Sequence, residues 1–338
     1  MTRKLYLLSG VLSVLILINA FFIFSFQKEG LNNSSQADVS ILNNSQAYIF
    51  PIAESTYLPT LNTTIERPTL SAKSAIVYDM RSSRFLFSKN SEERLPIASL
   101  TKLLTAVVVL ENLNLDDVVI VPKEALRVDG EKQTLYLDER IRVRDLLKMM
   151  LIESSNDAAY ALKYHASKSG IDPVRDKTPP EAASADAPEV HRTSNGIDII
   201  GLMNKKAIEL GMNNSIFHDP AGLNDNALST SEDLLKLVNY SLKLDSLWPI
   251  LGEKSTVVYS VDGRIEHKVD STNQLLGVMP DVVGGKTGYT DGALGCMILV
   301  VDVPGKNDKL VSIVLGSTER FTDTNKLISW TKKAYSWE

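Results

Sequence analysis

The chain has 338 residues, 44% hydrophobic and 23% charged, the proportions of a globular protein long enough for two domains or one large domain with appendages. A net charge of −5 and a pI near 5.6 leave no basic field, so nucleic acid is not an expected partner. The single cysteine, Cys296, excludes an intrachain disulfide framework, and His165, His191, His218 and His267 lack ligand spacing, so neither a metal nor another cofactor is expected.

Arg3 and Lys4 precede an uncharged apolar run, residues 5–26. At about 22 residues it is long enough to cross a hydrocarbon core about 30 Å thick. It ends Phe21-Phe22-Ile23-Phe24-Ser25-Phe26, without the small-residue cleavage site of a secretory signal, so residues 1–26 read as an uncleaved transmembrane signal anchor. With both cations before the span, the remainder of the chain is expected outside the cytoplasm, on the cell membrane. Residues 27–70, rich in Asn, Ser, Thr and Gln, read as a flexible linker.

The globular part is expected from residue 71 to 338. Ala75-Ile76-Val77-Tyr78-Asp79 and Phe85-Leu86-Phe87 predict a hairpin across the turn at Asp79 to Ser83. Next comes Pro96-Ile97-Ala98-Ser99-Leu100-Thr101-Lys102, leading into an apolar run that predicts a buried helix from about residue 98 to 113. Ser99 and Lys102, three apart, share one face of it, about 5–6 Å apart at Cβ. A serine hydroxyl is a weak nucleophile until a base takes its proton, and a lysine depressed by burial or a neighbouring cation can be that base.

A helix at 143–152 runs into Glu153-Ser154-Ser155-Asn156-Asp157-Ala158-Ala159, where the serines and Asn156 break one helix and cap the next. The same residues can also place Ser154 and Asn156 opposite Ser99. Residues 167–193, Pro/Ala/Asp-rich and aperiodic, read as a disordered insertion. Helices are predicted over 197–210, with Gly211 as the stop, and from Thr230 to about 244. Asp262-Gly263 between two alternating runs predicts a two-residue hairpin. Val282-Val283-Gly284-Gly285-Lys286-Thr287-Gly288-Tyr289-Thr290 follows, with glycines that let another backbone approach the strand and a cation and hydroxyl suited to a carboxylate. Strands at 297–301 and 310–315 and a final helix from about 323 to 335 complete the chain.

Ser99-x-x-Lys102, Ser154-x-Asn156 and Lys286-Thr287-Gly288 occur once each, in the order that characterises penicillin-binding proteins and serine β-lactamases. With Met203-Asn204-x-x-Ala207-x-x-Leu210-Gly211-Met212 and Gly285 to Thr290, the chain from about 72 to 330 resembles the low-molecular-mass penicillin-binding proteins of the D-alanyl-D-alanine carboxypeptidase family. The resemblance implies an α+β fold of the serine β-lactamase/transpeptidase type, an antiparallel sheet flanked by helices with an all-helical subdomain. It implies a serine-type D-Ala-D-Ala carboxypeptidase acting on peptidoglycan stem peptides and blocked covalently by β-lactams. The catalytic set implied is Ser99, Lys102, Ser154, Asn156 and Lys286. Ser99 is the nucleophile, Lys102 its base, Ser154 the proton relay and Asn156 the holder of the substrate amide. The backbone N–H groups of Ser99 and Tyr289 form the oxyanion hole, and Lys286, Thr287, Gly288, Tyr289 and Arg320 bind substrate. On this reading Lys286 also supplies the positive charge that keeps Lys102 neutral.

The chain departs from the family pattern at Ser155, where many members have glycine, which is expected to narrow the cleft. Asp219-Pro220-Ala221-Gly222-Leu223 lacks the histidine common in the Gly-Leu block. The Pro/Ala insertion is extra, and neither the C-terminal β-domain nor the terminal anchor of many relatives is expected, the N-terminal span being expected to do the anchoring instead. Three rivals remain: a D,D-endopeptidase with the same residues, a β-lactamase using Glu209 to activate water, and a non-catalytic wall-binding protein.

Overall fold

The computed structural model describes residues 58–128, 134–168, 192–193, 196–303 and 308–337. The expected membrane anchor, most of the linker and the bulk of the insertion lie outside the described residues. Among the described residues no helix is long and apolar enough to cross a membrane.

The molecule is organised on a five-stranded antiparallel sheet. Its strands are β1 (Ser74–Asp79), β2 (Arg84–Lys89), β7 (Val282–Thr290), β8 (Leu294–Asp302) and β9 (Lys309–Ser317), in the spatial order β7-β8-β9-β1-β2. The α-helices and the other strands of three residues or more are, in chain order, α1 (Thr101–Asn112), β3 (Val118–Ile120), β4 (Arg140–Arg142), α2 (Val143–Ile152), α3 (Asn156–Lys168), α4 (Ile199–Glu209), α5 (Ser231–Ser241), α6 (Leu247–Leu251), β5 (Ser255–Tyr259), β6 (Glu266–Asp270) and α7 (Arg320–Ala334). Successive strand residues face opposite sides. Ile76, Ile298, Val300, Val311, Ile313 and Leu315 join the core shared with the helices between β2 and β7. Ala75, Val77, Met297, Leu299, Val301 and Val314 join Leu327, Ile328 and Trp330 of α7 on the other face. Both faces are covered, so β8 and β9 are apolar almost without interruption. This is the α+β architecture expected, with its helical region inserted between the first hairpin and the last three strands.

α1 is central, as its all-round apolar sequence predicts, with every residue from Thr101 to Val109 buried. Each fully buried Leu or Val there contributes about 1.5–3 kcal/mol of transfer free energy. Its entry is not one continuous helix. Ala98 sits at φ +47°, and Ala98–Leu100 form a 3-10 turn before α1 begins.

Several boundaries differ from expectation. Residues 60–70 are not tether: Thr60 and Leu61 pair with Ser336 and Tyr335, Leu70 is buried, and Arg67 lies over the rings of Phe87 and Trp330. These anchors are isolated among polar residues and carry no periodicity. The β5–β6 hairpin has a longer connection than two residues, because Ser260 closes it, bonding Ile265 through its backbone and side chain while its hydroxyl donates to Asp262. α7 begins at Arg320 because Asp323, expected at its start, lies one turn in, where its carboxylate accepts the N–H groups of Ser71 and Ala72.

Candidate active site

Three chain segments meet beside the 3-10 turn that carries Ser99. The first is β7. A Cβ at Gly288 would lie 3.0 Å from both Ile97 O and Ser99 N, so the strand passes the serine turn closely enough that any side chain there would push the turn aside. The second is the loop after Phe217. Gly222 adopts φ +76°, and a Cβ there would lie 1.9 Å from Ala98 O. The third is the junction of α2 and α3. Ser154 takes φ +66° at the break, and Ser155 caps α3 by accepting the Ala158 N–H at 3.0 Å.

Lys102 Nζ, fully buried, is 2.8 Å from Ser99 Oγ, 2.7 Å from Asn156 Oδ1 and 2.9 Å from Ala221 O. Burial pulls its pKa from 10.5 down to about 7, against the opposing charges of Asp219 and Asp157. A neutral amine has two N–H donors and one lone pair. Asn156 Oδ1 and the Ala221 carbonyl can only accept, so they take both donors. The lone pair is left for the Ser99 hydroxyl, which is the arrangement of a base about to receive the serine proton.

Lys286 is 1% exposed, with Nζ 2.8 Å from Ser154 Oγ and 2.9 Å from Thr287 O. Burial first, then the charges of Lys102 and Arg320, hold its pKa well below the usual lysine value. This corrects one expectation. Burial, not the charge of Lys286, is what brings Lys102 down, and the charges that shift Lys102 are carboxylates. The repulsion between the amines is felt instead at Lys286, which faces a second cation in Arg320.

The cleft above these groups has a volume of about 290 Å³, and Ser99, Ser154, Asn156, Thr287, Gly288, Tyr289 and Arg320 are among its lining residues. Lys102 and Lys286 lie beneath them. Arg320 opens α7, with its guanidinium 4.7 Å from the Phe321 ring centre and 5.9 Å from that of Tyr289. All nine residues singled out from the sequence therefore belong to one cluster. Ser155 lines the cleft too, but its hydroxyl donates to Asp157 and accepts from Ala158, so it is turned into the helix cap instead of across the opening. Glu209 bonds Lys206 on α4 and is not among the cleft residues.

Sequence reasoning missed two contributors. Thr272 lines the cleft and shares a 2.6 Å hydrogen bond with Thr287 through their hydroxyls. The Ala221 carbonyl gives Lys102 its third partner. Neither carries a side-chain signature, although the glycine of the Pro-Ala-Gly-Leu block marks a turn. Among the described residues no cluster of His, Cys, Asp and Glu is arranged to hold a metal.

Comparison with known proteins agrees with this geometry. A family model described as D-alanyl-D-alanine carboxypeptidase (peptidase S11) matches residues 61–173 and 191–319. The D-alanyl-D-alanine carboxypeptidase DacF of Bacillus subtilis is 28% identical over 273 residues, 78% of this chain and 63% of the relative, which is thus substantially longer than the match. A D-alanyl-D-alanine endopeptidase of Haemophilus influenzae is 31% identical over 250 residues, 73% of this chain and 76% of the relative. Among solved structures, penicillin-binding protein D2 of Listeria monocytogenes in its ampicillin-bound form superposes with a TM-score of 0.61 at 29% identity, covering 79% of this chain and 99% of that one.

Proposed function

Because this chain belongs to the D-alanyl-D-alanine carboxypeptidase family, we propose that it is a serine-type D-Ala-D-Ala carboxypeptidase that trims peptidoglycan stem peptides through an acyl-enzyme on Ser99. The observation that carries this reading is the environment of Lys102 Nζ, buried, with two acceptors and the Ser99 hydroxyl around it.

Lys102 takes the Ser99 proton as Oγ bonds the carbonyl carbon between the two D-alanines. The N–H groups of Ser99 and Tyr289 hold the oxyanion, each such donor being worth about 10²–10³ in rate. The close approach of Gly288 to Ser99 N supports that pairing. Ser154, held by Lys286 at 2.8 Å, passes the proton to the departing D-alanine nitrogen as the C–N bond breaks. Asn156 holds the substrate amide. Lys286, Thr287 and Arg320 take the terminal carboxylate, beside Gly288 and Tyr289 on the strand. Water then enters, releases the shortened peptide and restores the serine. The catalytic unit acts outside the cytoplasm, anchored to the cell membrane by residues 5–26, and β-lactams acylate the same serine.

A second reading, a D,D-endopeptidase that cuts cross-links, uses the same residues and is favoured by the endopeptidase from Haemophilus influenzae. Incubation with a soluble pentapeptide ending in D-Ala-D-Ala and with a purified cross-linked dimer separates the two. Release of free D-alanine from the pentapeptide, absent in Ser99→Ala, is the expected result. Cleavage of the dimer alone supports the endopeptidase, and turnover of neither contradicts both.

A further inference from the structure

Asp219 takes no part in the chemistry just described, yet it is buried and heavily bonded. Its exposure is 7%, and its carboxylate accepts four consecutive backbone N–H groups. Oδ1 accepts from Ala221 at 2.7 Å, Gly222 at 2.6 Å and Leu223 at 3.2 Å. Oδ2 accepts from Leu223 at 3.1 Å and Asn224 at 2.9 Å. Such a concave row of N–H groups is an anion cradle, here filled by the chain's own side chain. With its N–H groups turned inward, the loop presents its carbonyls to α1. Pro220 O accepts from Thr105 Oγ1 at 2.7 Å, and Ala221 O lies 2.9 Å from Lys102 Nζ. Gly222 packs against Ala98 in the same turn.

We propose that Asp219 is a positioning residue for acylation: by gathering the N–H groups of residues 221–224 it fixes the Ala221 carbonyl on Lys102 and so aims the amine lone pair at Ser99. Without that carbonyl a neutral amine keeps only one fixed acceptor, Asn156 Oδ1, and can rotate about it.

Asp219 also contributes charge. The groups facing Lys102 are Asp219 on this loop, Asp157 on α3 and Lys286 on β7, while α1 itself adds none near Ser99. Asp219 is the larger of the two carboxylate influences that oppose burial and keep Lys102 basic. Its field is felt as well at Tyr160 on α3, whose pKa burial and then Asp219 push up to about 12. A base that lost this support would titrate at lower pH and accept the serine proton less readily.

This inference rests on Lys102 being the base, and the test separates the two claims. Acylation by a fluorescent penicillin is followed from pH 5 to 9 on the full chain in detergent, with circular dichroism melts as the check on folding. Asp219→Asn and Asp219→Ser, neutral replacements with a single oxygen left to accept the four N–H groups, are expected to move the acid limb down by about half a pH unit or more and to lower the plateau. Asp219→Glu keeps the charge and is expected to leave the limb in place. Thr105→Val frees the Pro220 carbonyl without altering charge, so it is expected to lower the plateau alone. A folded neutral variant with the wild-type limb and plateau overturns the inference, as does an unchanged plateau in Thr105→Val. Wild-type protein that acylates with no acid limb near neutrality overturns the assignment of Lys102 together with it.

Discussion

Lys102 Nζ and Asn156 Oδ1 are 2.7 Å apart, though 54 positions separate the two residues in the chain. One is the second residue of α1 and the other opens α3, and the bond joins the two halves of the proposed machinery. It also decides the protonation chemistry. With Asn156 and Ala221 accepting, the neutral amine has one free lone pair and one place to direct it.

The pH dependence follows from this arrangement. Lys102 is held near pKa 7 by burial, and the reactive form is the neutral one. Acylation should therefore be slow in acid, rise tenfold per pH unit below about pH 7 and level off above it. Stopped-flow acylation across pH 5–9 checks this. A rate that stays flat from pH 5 to 8 contradicts a lysine base.

Lys286 and Thr287 should be separable by kinetics. Lys286→Ala removes both the partner of Ser154 Oγ and an amine beneath the proposed carboxylate site. It should lower kcat/KM by about 10²–10⁴-fold, with much of the loss in kcat, because the proton relay acts in the transition state. Thr287→Val removes a hydroxyl that also bonds Thr272 and should raise KM more than it lowers kcat. Steady-state D-alanine release measures both.

Gly222 is a steric prediction. Its φ of +76° and the 1.9 Å approach of a Cβ to Ala98 O leave no room for a methyl group. Gly222→Ala should cost about 1–3 kcal/mol in stability from the backbone conformation alone, more if the serine turn is forced aside. It should also slow acylation, since Ala98 immediately precedes Ser99. Thermal melts and acylation rates on the same preparation test both effects.

His267 on β6 and Glu139 beside β4 form a buried pair, Nε2 to Oε1 2.6 Å, with side-chain exposures of 6% and 0%. The bond to Glu139 raises the His267 pKa above 6.5 despite burial. The stabilisation is therefore complete below about pH 6.5 and is lost as pH rises through the raised folded-state value. His267→Gln removes the cation beside buried Glu139, which keeps only neutral donors such as the Tyr136 N–H, and should destabilise the fold in acid. The difference from wild type should shrink toward alkaline pH, as read by melts at a series of pH values.

Much of the site was legible because its chemistry is carried by side-chain type at helical or strand spacing. Ser99 and Lys102 had to share a face, and the glycines around Lys286 had to admit another backbone. The Ala221 carbonyl was not legible, since a main-chain acceptor has no residue type. Thr272 follows an ordinary strand and is functional only through its neighbour Thr287. The source of the Lys102 shift was misjudged for a related reason: composition shows a second cation but not how deeply both amines are buried. The fold was read well where periodicity was strong, in α1, α2 and the terminal strands. It was read poorly at residues 60–70, where three separated anchors, Ile65, Arg67 and Leu70, hold a polar segment.

The most direct test of the central claim is intact-protein mass spectrometry after incubation with a penicillin, comparing wild type with Ser99→Ala. The account predicts a stable mass increase of one intact penicillin in the wild type, mapped by peptide analysis to Ser99, and none in the variant. An unmodified wild type, or an adduct that persists when Ser99 is alanine, would contradict it.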